Sequence, residues 1–272
     1  MSIRMWLVRL IKANFKNRFR IARWTRKNRL MRRFIDFMLF EEDEIYYLPK
    51  DKLVINQSIA GSEDIAVPSD IIRHFIDEAG HIVIMNRCIC RESDHCEDYP
   101  IDLGCMMMGE ASRKISPDLG HPASREEAYA HLKRAGDLGM VHLIGRNKID
   151  TQWLGASPGD HLLTVCNCCP CCCLYKVLPD LDVSISKKIT RAPGVTINVT
   201  DKCVGCGTCA REGVCFVNAI SMVDGRSVKA DHCVACGRCV DVCPYHAIEL
   251  VITDQSFMEK TIERVSKKVD VT

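Results

Sequence analysis

The stretch CVGCGTC at residues 203–209 recurs thirty residues later as CVACGRC at residues 233–239. A fourth cysteine follows each copy, Cys215 after the first and Cys243 after the second, and each begins the pattern C-x-x-x-A-I. A repeat that keeps both its cysteine spacing and its flanking residues indicates two copies of one metal-binding unit. The two-residue gaps allow a short loop to wrap around a metal cluster and to direct backbone N–H groups toward its sulfur atoms.

Residues 195–252 resemble the two-cluster ferredoxin domain of bacteria, in which the fourth cysteine of each repeat binds the cluster of the other repeat. The resemblance implies two [4Fe–4S] clusters, and paired zinc sites are the alternative. The implied ligands are Cys203, Cys206, Cys209 and Cys243 for one cluster, and Cys233, Cys236, Cys239 and Cys215 for the other.

The first repeat departs from the family pattern at two places. Five residues, 210–214, precede Cys215 where three are usual, and Phe216 replaces the proline that follows the fourth cysteine. We expect the additional residues to bulge outward and to leave Cys215 in its role as a ligand.

Cysteine dominates the composition, with 18 of 272 residues. The first twelve residues are interrupted by charges, which is unlike a secretory signal, so we expect a cytoplasmic, reducing location. In that setting the thiols are expected to bind metal rather than form disulfides. No apolar run approaches the roughly 18 residues that a membrane span requires.

A second group of cysteines lies in the middle of the chain at Cys88, Cys90, Cys96 and Cys105. If residues 88–90 are extended, the first two side chains point to the same side. The four thiols together can complete a tetrathiolate site. Such a site fits a third iron–sulfur cluster or a structural zinc ion.

The third group places six thiols within the eight residues CNCCPCCC at 166–173. Neighbouring side chains diverge in a strand and lie about 100° apart on a helix, so adjacent cysteines are expected to serve two metal centres or one large cluster. The alternative is that they are buried small apolar residues. The residues concerned are Cys166, Cys168, Cys169, Cys171, Cys172 and Cys173.

The middle region as a whole resembles a known family. The pattern C-x-C-R-x4-C at 88–96, the segment from Glu126 to His142, and CNCCPCCC precede the two-repeat unit. Together they are similar to the large "4Fe-4S dicluster domain" proteins of anaerobic bacteria and archaea, over about residues 65–250. The resemblance implies anaerobic electron transfer and says little about a substrate.

Elements predicted around the cysteines indicate an α+β fold. We expect a helix from Val67 to about Ala79, a helix after the capping box at 124–127 that ends near Gly136, and strands near 81–85, 140–144 and 162–165. Both middle cysteine groups follow strands, so we expect them to meet around a shared site. His95 and His161 flank the groups and can bind iron or hydrogen-bond to a cluster, although a solvated or capping role is favoured.

We therefore predict a basic helical arm (1–40), a cysteine-rich α/β region (41–192), a two-cluster ferredoxin-type domain (193–255) and a C-terminal tail (256–272). Residues 1–33 contain twelve Lys and Arg and no acidic residue, whereas the rest of the chain has 25 basic and 35 acidic residues. An apolar stripe follows helical spacing along this arm, at Ile3, Leu7, Leu10, Ile11, Phe15 and Phe19.

The arm is suited to an anionic membrane surface, an acidic partner or the acidic body of the chain itself, whereas no nucleic-acid-reading motif accompanies its charge. Dinucleotide-binding, phosphate-loop and Ser/His/Asp motifs are absent from the sequence. We therefore expect an electron-transfer protein or subunit that works with redox partner proteins. The alternatives are a redox enzyme subunit with a catalytic iron–sulfur centre at 166–173, and a redox-sensing regulator.

Overall fold

The computed structural model of the chain describes residues 3–51 and 68–272, with side chains from residue 5 onward. Its α-helices are α1 Ile3–Asn14, α2 Arg18–Lys27, α3 Arg29–Ile35, α4 Ser69–Glu78, α5 Ile89–Ser93, α6 Arg125–Asp137, α7 Lys148–Leu154, α8 Val183–Ser186, α9 Arg238–Asp241 and α10 Phe257–Ser266. Its strands are β1 Glu44–Tyr47, β2 Ile82–Met85, β3 Met106–Met108, β4 Gly120–Pro122, β5 Val141–Arg146, β6 Leu163–Cys168, β7 Ile189–Arg191, β8 Val195–Val199, β9 Ile220–Val223, β10 Arg226–Lys229 and β11 Ile248–Ile252.

Seven strands form one sheet in the order β4-β2-β3-β6-β5-β1-β7. Within the described ranges, β1 and β7 are its parallel pair, and the other neighbours are antiparallel. The protein therefore has mixed α+β content, as predicted. The α/β arrangement predicted for residues 41–192 is wrong, because its helices connect mainly antiparallel strands instead of building parallel βαβ units.

Most elements predicted around the cysteines are present. The Ser124 hydroxyl accepts a hydrogen bond from the Glu127 N–H at 3.2 Å, and this cap starts α6, which ends one residue beyond Gly136. The three predicted strands correspond to β2, β5 and β6. Helix α4 ends at Glu78, and its predicted start at Val67 lies outside the described residues.

The C-terminal repeat region lies between two paired strands. Strand β8 precedes both repeats and pairs antiparallel with β11, which follows them. Strands β9 and β10 form a hairpin between the repeats. The region packs on the seven-stranded sheet through one continuous core, in which the rings of Tyr47 and Phe216 lie 6.0 Å apart. Residues 256–272, predicted as a tail, contain α10, and the backbone N–H of Gly80 donates to the Val271 carbonyl.

The basic arm folds onto the acidic residues of the chain itself. Ion pairs between the arm and the body join Lys12 to Glu92, Arg18 to Asp94, Arg23 to Asp180, and Arg32 to Asp182. The apolar stripe is only partly correct: Phe15 is buried, but Leu10 is exposed and Val8 is buried in its place. The side chain of Ile3 lies outside the described residues.

Among the helices in the described part of the chain, none combines the length and the apolar character needed to cross a bilayer.

Candidate metal centres

Four cysteines from both repeats line one cavity of the C-terminal region, called here the first cavity. They are Cys203, Cys206, Cys209 and Cys243. The backbone N–H of Ser227 donates to Cys203 Sγ at 3.5 Å, and that of Ala247 donates to Cys243 Sγ at 3.3 Å. These donors favour the negative charge of a thiolate that binds a cluster.

A second cavity has the complementary set of ligands. It is lined by Cys215, Cys233, Cys236 and Cys239. The N–H of Ala219 donates to Cys215 Sγ at 3.2 Å, and the N–H of Ala235 donates to Cys233 Sγ at 3.4 Å. Cys215 and Cys243 have therefore exchanged cavities relative to their own repeats, as the ferredoxin resemblance implies.

The two repeats share their backbone conformation as well as their cysteines. Asn218 and His246, which precede Ala219 and Ala247, have φ of 49° and 47°. After Cys206 the first repeat forms a single 3-10 turn at residues 208–210, whereas the second repeat forms α9 at the corresponding place. The additional residues before Cys215 include Gly213, whose φ of 79° lets the chain change direction there. Cys215 still reaches the second cavity, which agrees with the expected bulge.

Sulfur spacing in these two cavities fits a cluster better than a single ion. The sulfur atoms of a site for a single ion lie close together. In the described part of the chain, one group of three or more metal-binding side chains has all its ligand atoms within 4.8 Å of one another. None of the eight cysteines of the two cavities belongs to that group. A cubane places four iron atoms between its cysteine ligands, so wide spacing is what it requires. The residues present therefore fit [4Fe–4S] clusters.

The one closely spaced group consists of Cys96, Cys169, Cys171 and Cys172, and we call it the Cys96 quartet. The sulfur atoms of Cys96 and Cys171 are 3.4 Å apart. The prediction that Cys96 shares a site with Cys88, Cys90 and Cys105 is therefore wrong. The loop after α5 turns the Cys96 side chain toward residues 169–172, a long-range contact that local spacing does not indicate.

The remaining middle cysteines surround a cavity of about 410 Å³, which we call the thiol chamber. Within it, Cys105 Sγ lies 3.5 Å from Cys166 Sγ, and Cys173 Sγ lies 3.2 Å from Cys168 Sγ. The arm covers one side of the chamber with apolar side chains. The chamber cysteines are Cys88, Cys90, Cys105, Cys166, Cys168 and Cys173, and Cys169 of the quartet forms part of the wall.

Local structure around Cys88 differs from the extended segment that was predicted. Cys88 is the residue before α5, and Cys90 lies inside that helix, so the strict alternation of a strand does not apply. Both still line the chamber. A hydrogen bond from Cys90 lowers the pKa of Cys88 to about 6 against the effect of burial, and the charge of Arg91 acts in the same direction. Both effects favour the thiolate of Cys88, which is the form that binds metal.

Neighbouring thiols in the CNCCPCCC segment diverge as predicted. Cys166 and Cys168 alternate along β6 and face the chamber, whereas Cys169 joins the Cys96 quartet. Farther along, Cys172 belongs to the quartet and Cys173 to the chamber. The two middle cysteine groups therefore meet, but they divide into two adjacent sites.

Arg91 was not predicted as a site residue, and its side chain is only 1% exposed. Its guanidinium donates to the carbonyl oxygens of Pro100 at 2.9 Å and Asn167 at 2.8 Å, and also to that of Leu103. Burial disfavours the charge, but the thiols of neighbouring cysteines hold the pKa of Arg91 above its usual value. The arginine of the C-x-C-R pattern was the feature of the sequence that could have indicated this role. Arginine keeps its charge when buried, so it requires anionic or carbonyl partners.

Tyr47 was also missed, and no sequence motif indicates it. It is fully buried, and its hydroxyl has no hydrogen-bond partner in the part of the chain that the structure describes. Burial raises the pKa of Tyr47, and the charges of Cys173 and Cys168 in the chamber and Cys236 in the second cavity raise it further. Tyr47 thus lies between two thiol sites with a free donor.

A buried polar network borders the thiol chamber. Asp150 accepts hydrogen bonds from Asn147 at 2.7 Å and from Thr164 at 3.0 Å, and a third from the indole of Trp153. Asn147 also donates to the Tyr175 hydroxyl at 3.0 Å. Burial raises the pKa of Asp150 despite these donors. The chamber wall therefore contains a buried carboxyl group whose oxygens accept three hydrogen bonds.

The two flanking histidines do not reach the cysteine sites. His95 is exposed, and the His161 ring lies 4.0 Å from the Asp270 carboxylate. Neither residue lines the two C-terminal cavities or the thiol chamber in the described part of the chain. These positions agree with the solvated role that the sequence favoured.

Comparison with known proteins identifies the second repeat. Residues 227–249 match the family model described as a 4Fe-4S binding domain. Neither the curated proteins nor the solved structures contain a match to this chain. The matched segment includes Cys233, Cys236, Cys239 and Cys243. The chain is therefore an iron–sulfur protein that binds at least one [4Fe–4S] cluster.

Proposed function

We propose that the protein is an electron-transfer protein or subunit with two ferredoxin-type [4Fe–4S] clusters in its C-terminal region. One cluster is held in the first cavity and the other in the second. The thiol chamber holds one further iron–sulfur centre. The protein works in the cytoplasm under anaerobic conditions and exchanges electrons with redox partner proteins.

The exchange of Cys215 and Cys243 between the cavities is the observation that supports two clusters. Each cavity combines three cysteines of one repeat with the fourth of the other. A chain that bound one cluster and kept the second repeat as a scaffold would have no need of this arrangement. The four cysteines of each cavity would hold a cluster that supplies one-electron chemistry, and the N–H donors at Ser227, Ala219, Ala235 and Ala247 would stabilise the added negative charge.

The order of the sites suits a relay from the surface to the interior. Cys206 is exposed, and Val204 and Tyr245 beside it are exposed apolar side chains on which a redox partner can dock. The cysteines of the second cavity are more buried. The rings of Tyr47 and Phe216 lie 6.0 Å apart in the core, and the charges of cysteines from both the second cavity and the thiol chamber act on Tyr47.

Metal and sulfide analysis after strictly anaerobic purification tests this proposal. Two ferredoxin-type clusters require about eight iron and eight sulfide per chain, and a filled chamber adds iron beyond that number. Cys166→Ala should then remove only the additional iron and leave the EPR signals of the two reduced cubanes unchanged. Fewer than about eight iron atoms, with a single cubane signal, would contradict the two-cluster assignment.

Catalysis in the thiol chamber is the second candidate function. The cavity of about 410 Å³ has the size of a small-molecule site, and Asp150 places a buried carboxyl group in its wall. Carbon monoxide is a suitable probe, because it binds reduced iron that has an open coordination position. A change in a non-ferredoxin EPR signal on exposure to carbon monoxide supports a catalytic centre, and unchanged spectra support the relay alone.

A further inference from the structure

We propose that the Cys96 quartet binds a single zinc ion, separate from every iron site of the protein. This inference goes beyond the electron-transfer function and does not depend on it. It assigns the middle cysteines to two tasks: four hold a structural ion, and six remain for the redox centre of the thiol chamber.

Sulfur spacing is the first argument. A tetrahedral zinc ion with Zn–S bonds of about 2.3 Å places its sulfur ligands about 3.8 Å apart. All four sulfur atoms of the quartet lie within 4.8 Å of one another, and Cys96 and Cys171 are already 3.4 Å apart. No three cysteines of the first or second cavity are this close in the described part of the chain. The same fold therefore contains wide sites for cubanes and one narrow site for an ion.

The local chain geometry is the second argument. Cys169, Pro170, Cys171 and Cys172 form a tight turn directly after β6, and Cys96 approaches from a loop more than seventy residues earlier in the sequence. A single ion can join these two segments without enlarging the turn. Since Cys169 also forms part of the chamber wall, an ion here would fix the wall beside the redox centre.

Charge is the third argument. Four thiolates around a divalent ion leave two negative charges, which a partly buried site must balance. Arg91 is buried, and its guanidinium donates to the carbonyl oxygen of Asn167, two residues before Cys169. Lys176 contributes a second positive charge, since its Nζ atom lies 3.0 Å from the Cys171 carbonyl oxygen. Two cations next to four cysteines match a zinc tetrathiolate.

Element analysis of matched variants of the full chain tests the proposal. Wild-type protein, purified anaerobically from medium containing iron and zinc, should contain one zinc per chain. Cys96→Ala should lose that zinc and retain its iron, whereas Cys206→Ser in the first cavity should lose iron and retain zinc. The proposal would be overturned if Cys96→Ala lost iron in proportion to its loss of zinc. It would also be overturned if the quartet held one iron and no zinc.

A measurement on the wild-type protein avoids dependence on the folding of the variants. Zinc K-edge X-ray absorption detects zinc selectively in the presence of iron clusters. We expect four sulfur neighbours at about 2.3 Å and no nitrogen or oxygen ligands. Absence of zinc from fully loaded protein, mixed nitrogen and sulfur coordination, or a Cys96–Cys171 disulfide would each reject the assignment.

Discussion

The backbone N–H of Ala247 donates a hydrogen bond to the Sγ atom of Cys243, 3.3 Å away. Ala219 makes the same contact with Cys215 at 3.2 Å in the first repeat. The residue before each alanine has a positive φ, which turns the amide back toward the sulfur four residues earlier. The pattern C-x-x-x-A-I therefore encodes an N–H···S bond at each fourth cysteine, the ligand that crosses to the other repeat's cavity.

This crossing predicts which cysteines act together. Cys243→Ser should remove the same EPR signal as Cys203→Ser, because both residues line the first cavity. Cys215→Ser should instead remove the signal that Cys236→Ser removes. Each variant should lose about four iron atoms per chain, which metal analysis measures. If Cys243→Ser and Cys236→Ser affected one common signal, each repeat would bind its own cluster and the crossing would be wrong.

The free hydroxyl of Tyr47 predicts an effect on reduction potential. A buried hydroxyl without a partner is unfavourable, so we expect it to donate to sulfur at an adjacent cluster when one is bound. Tyr47→Phe removes this donor and should lower the midpoint potential of one centre. A hydrogen bond worth about 1 kcal/mol corresponds to about 40 mV for one electron, which EPR-monitored redox titration resolves.

Tyr46→Phe is the matched control for this change. Its hydroxyl donates to Glu44 instead of facing a thiol site, so the potentials should not move. Equal potentials in wild-type and Tyr47→Phe protein, together with greater stability of the variant, would show that the hydroxyl stays without a partner when the clusters are bound.

Asp43 predicts how stability depends on pH. Burial raises the pKa of Asp43 to about 7, although a hydrogen bond from the Lys148 N–H lowers it. The charge of Asp150 raises this pKa further, and the charges of Lys188 and Arg146 lower it. The folded protein therefore retains a proton that the unfolded chain releases near pH 4. Stability should fall as pH rises from about 4 to 7, by about 1.4 kcal/mol for each unit of pKa shift at most.

Asp43→Asn removes this ionisation and keeps an acceptor for Lys148. The variant should have a higher melting temperature than wild type at pH 8, and the difference should shrink toward pH 5. Scanning calorimetry at several pH values measures this. Asp224→Asn is the control, because Asp224 is exposed in a turn with φ 48° that asparagine also adopts. A difference independent of pH would mean that Asp43 is ionised in the folded state.

The sequence predicted those features that depend on local spacing. The capping box placed α6, the repeats indicated paired cysteine cavities, and the divergence of neighbouring side chains separated Cys168 from Cys169 and Cys172 from Cys173. Each follows from geometry within a few residues.

Features that depend on contacts between distant segments were not predicted. Cys96 belongs with Cys171, 75 residues away, and its backbone N–H donates to the carbonyl oxygen of buried Arg91. The charges of cysteines from two thiol sites act on Tyr47, whose strand β1 lies between β5 and the edge strand β7. The segment predicted to be extended at residues 88–90 is instead the start of α5, since a bend at residues 86–87 separates it from β2.

The outer face of the arm predicts binding to a membrane surface. Its inner face pairs with the body, yet large apolar side chains remain exposed among the basic residues, including Leu30, Phe34 and Phe37 at 78%, 59% and 58%. We propose that this face binds anionic phospholipid, because apolar side chains bordered by Lys and Arg suit the lipid interface. The protein should cosediment with vesicles containing phosphatidylglycerol, and added salt should weaken the binding.

The double variant Phe34→Ser/Phe37→Ser should reduce this cosedimentation by about tenfold or more, since burial of two aromatic side chains contributes several kcal/mol at most. Val183→Ser is the matched control, because Val183 is an apolar residue with 70% exposure outside the arm. Reduced binding in the arm variant alone, with unchanged iron content, identifies the arm as the membrane-binding element. If wild type and both variants bound equally, or if wild type did not bind phosphatidylglycerol vesicles, the arm would not be a membrane-binding element. An acidic protein partner would then be the ligand of this face.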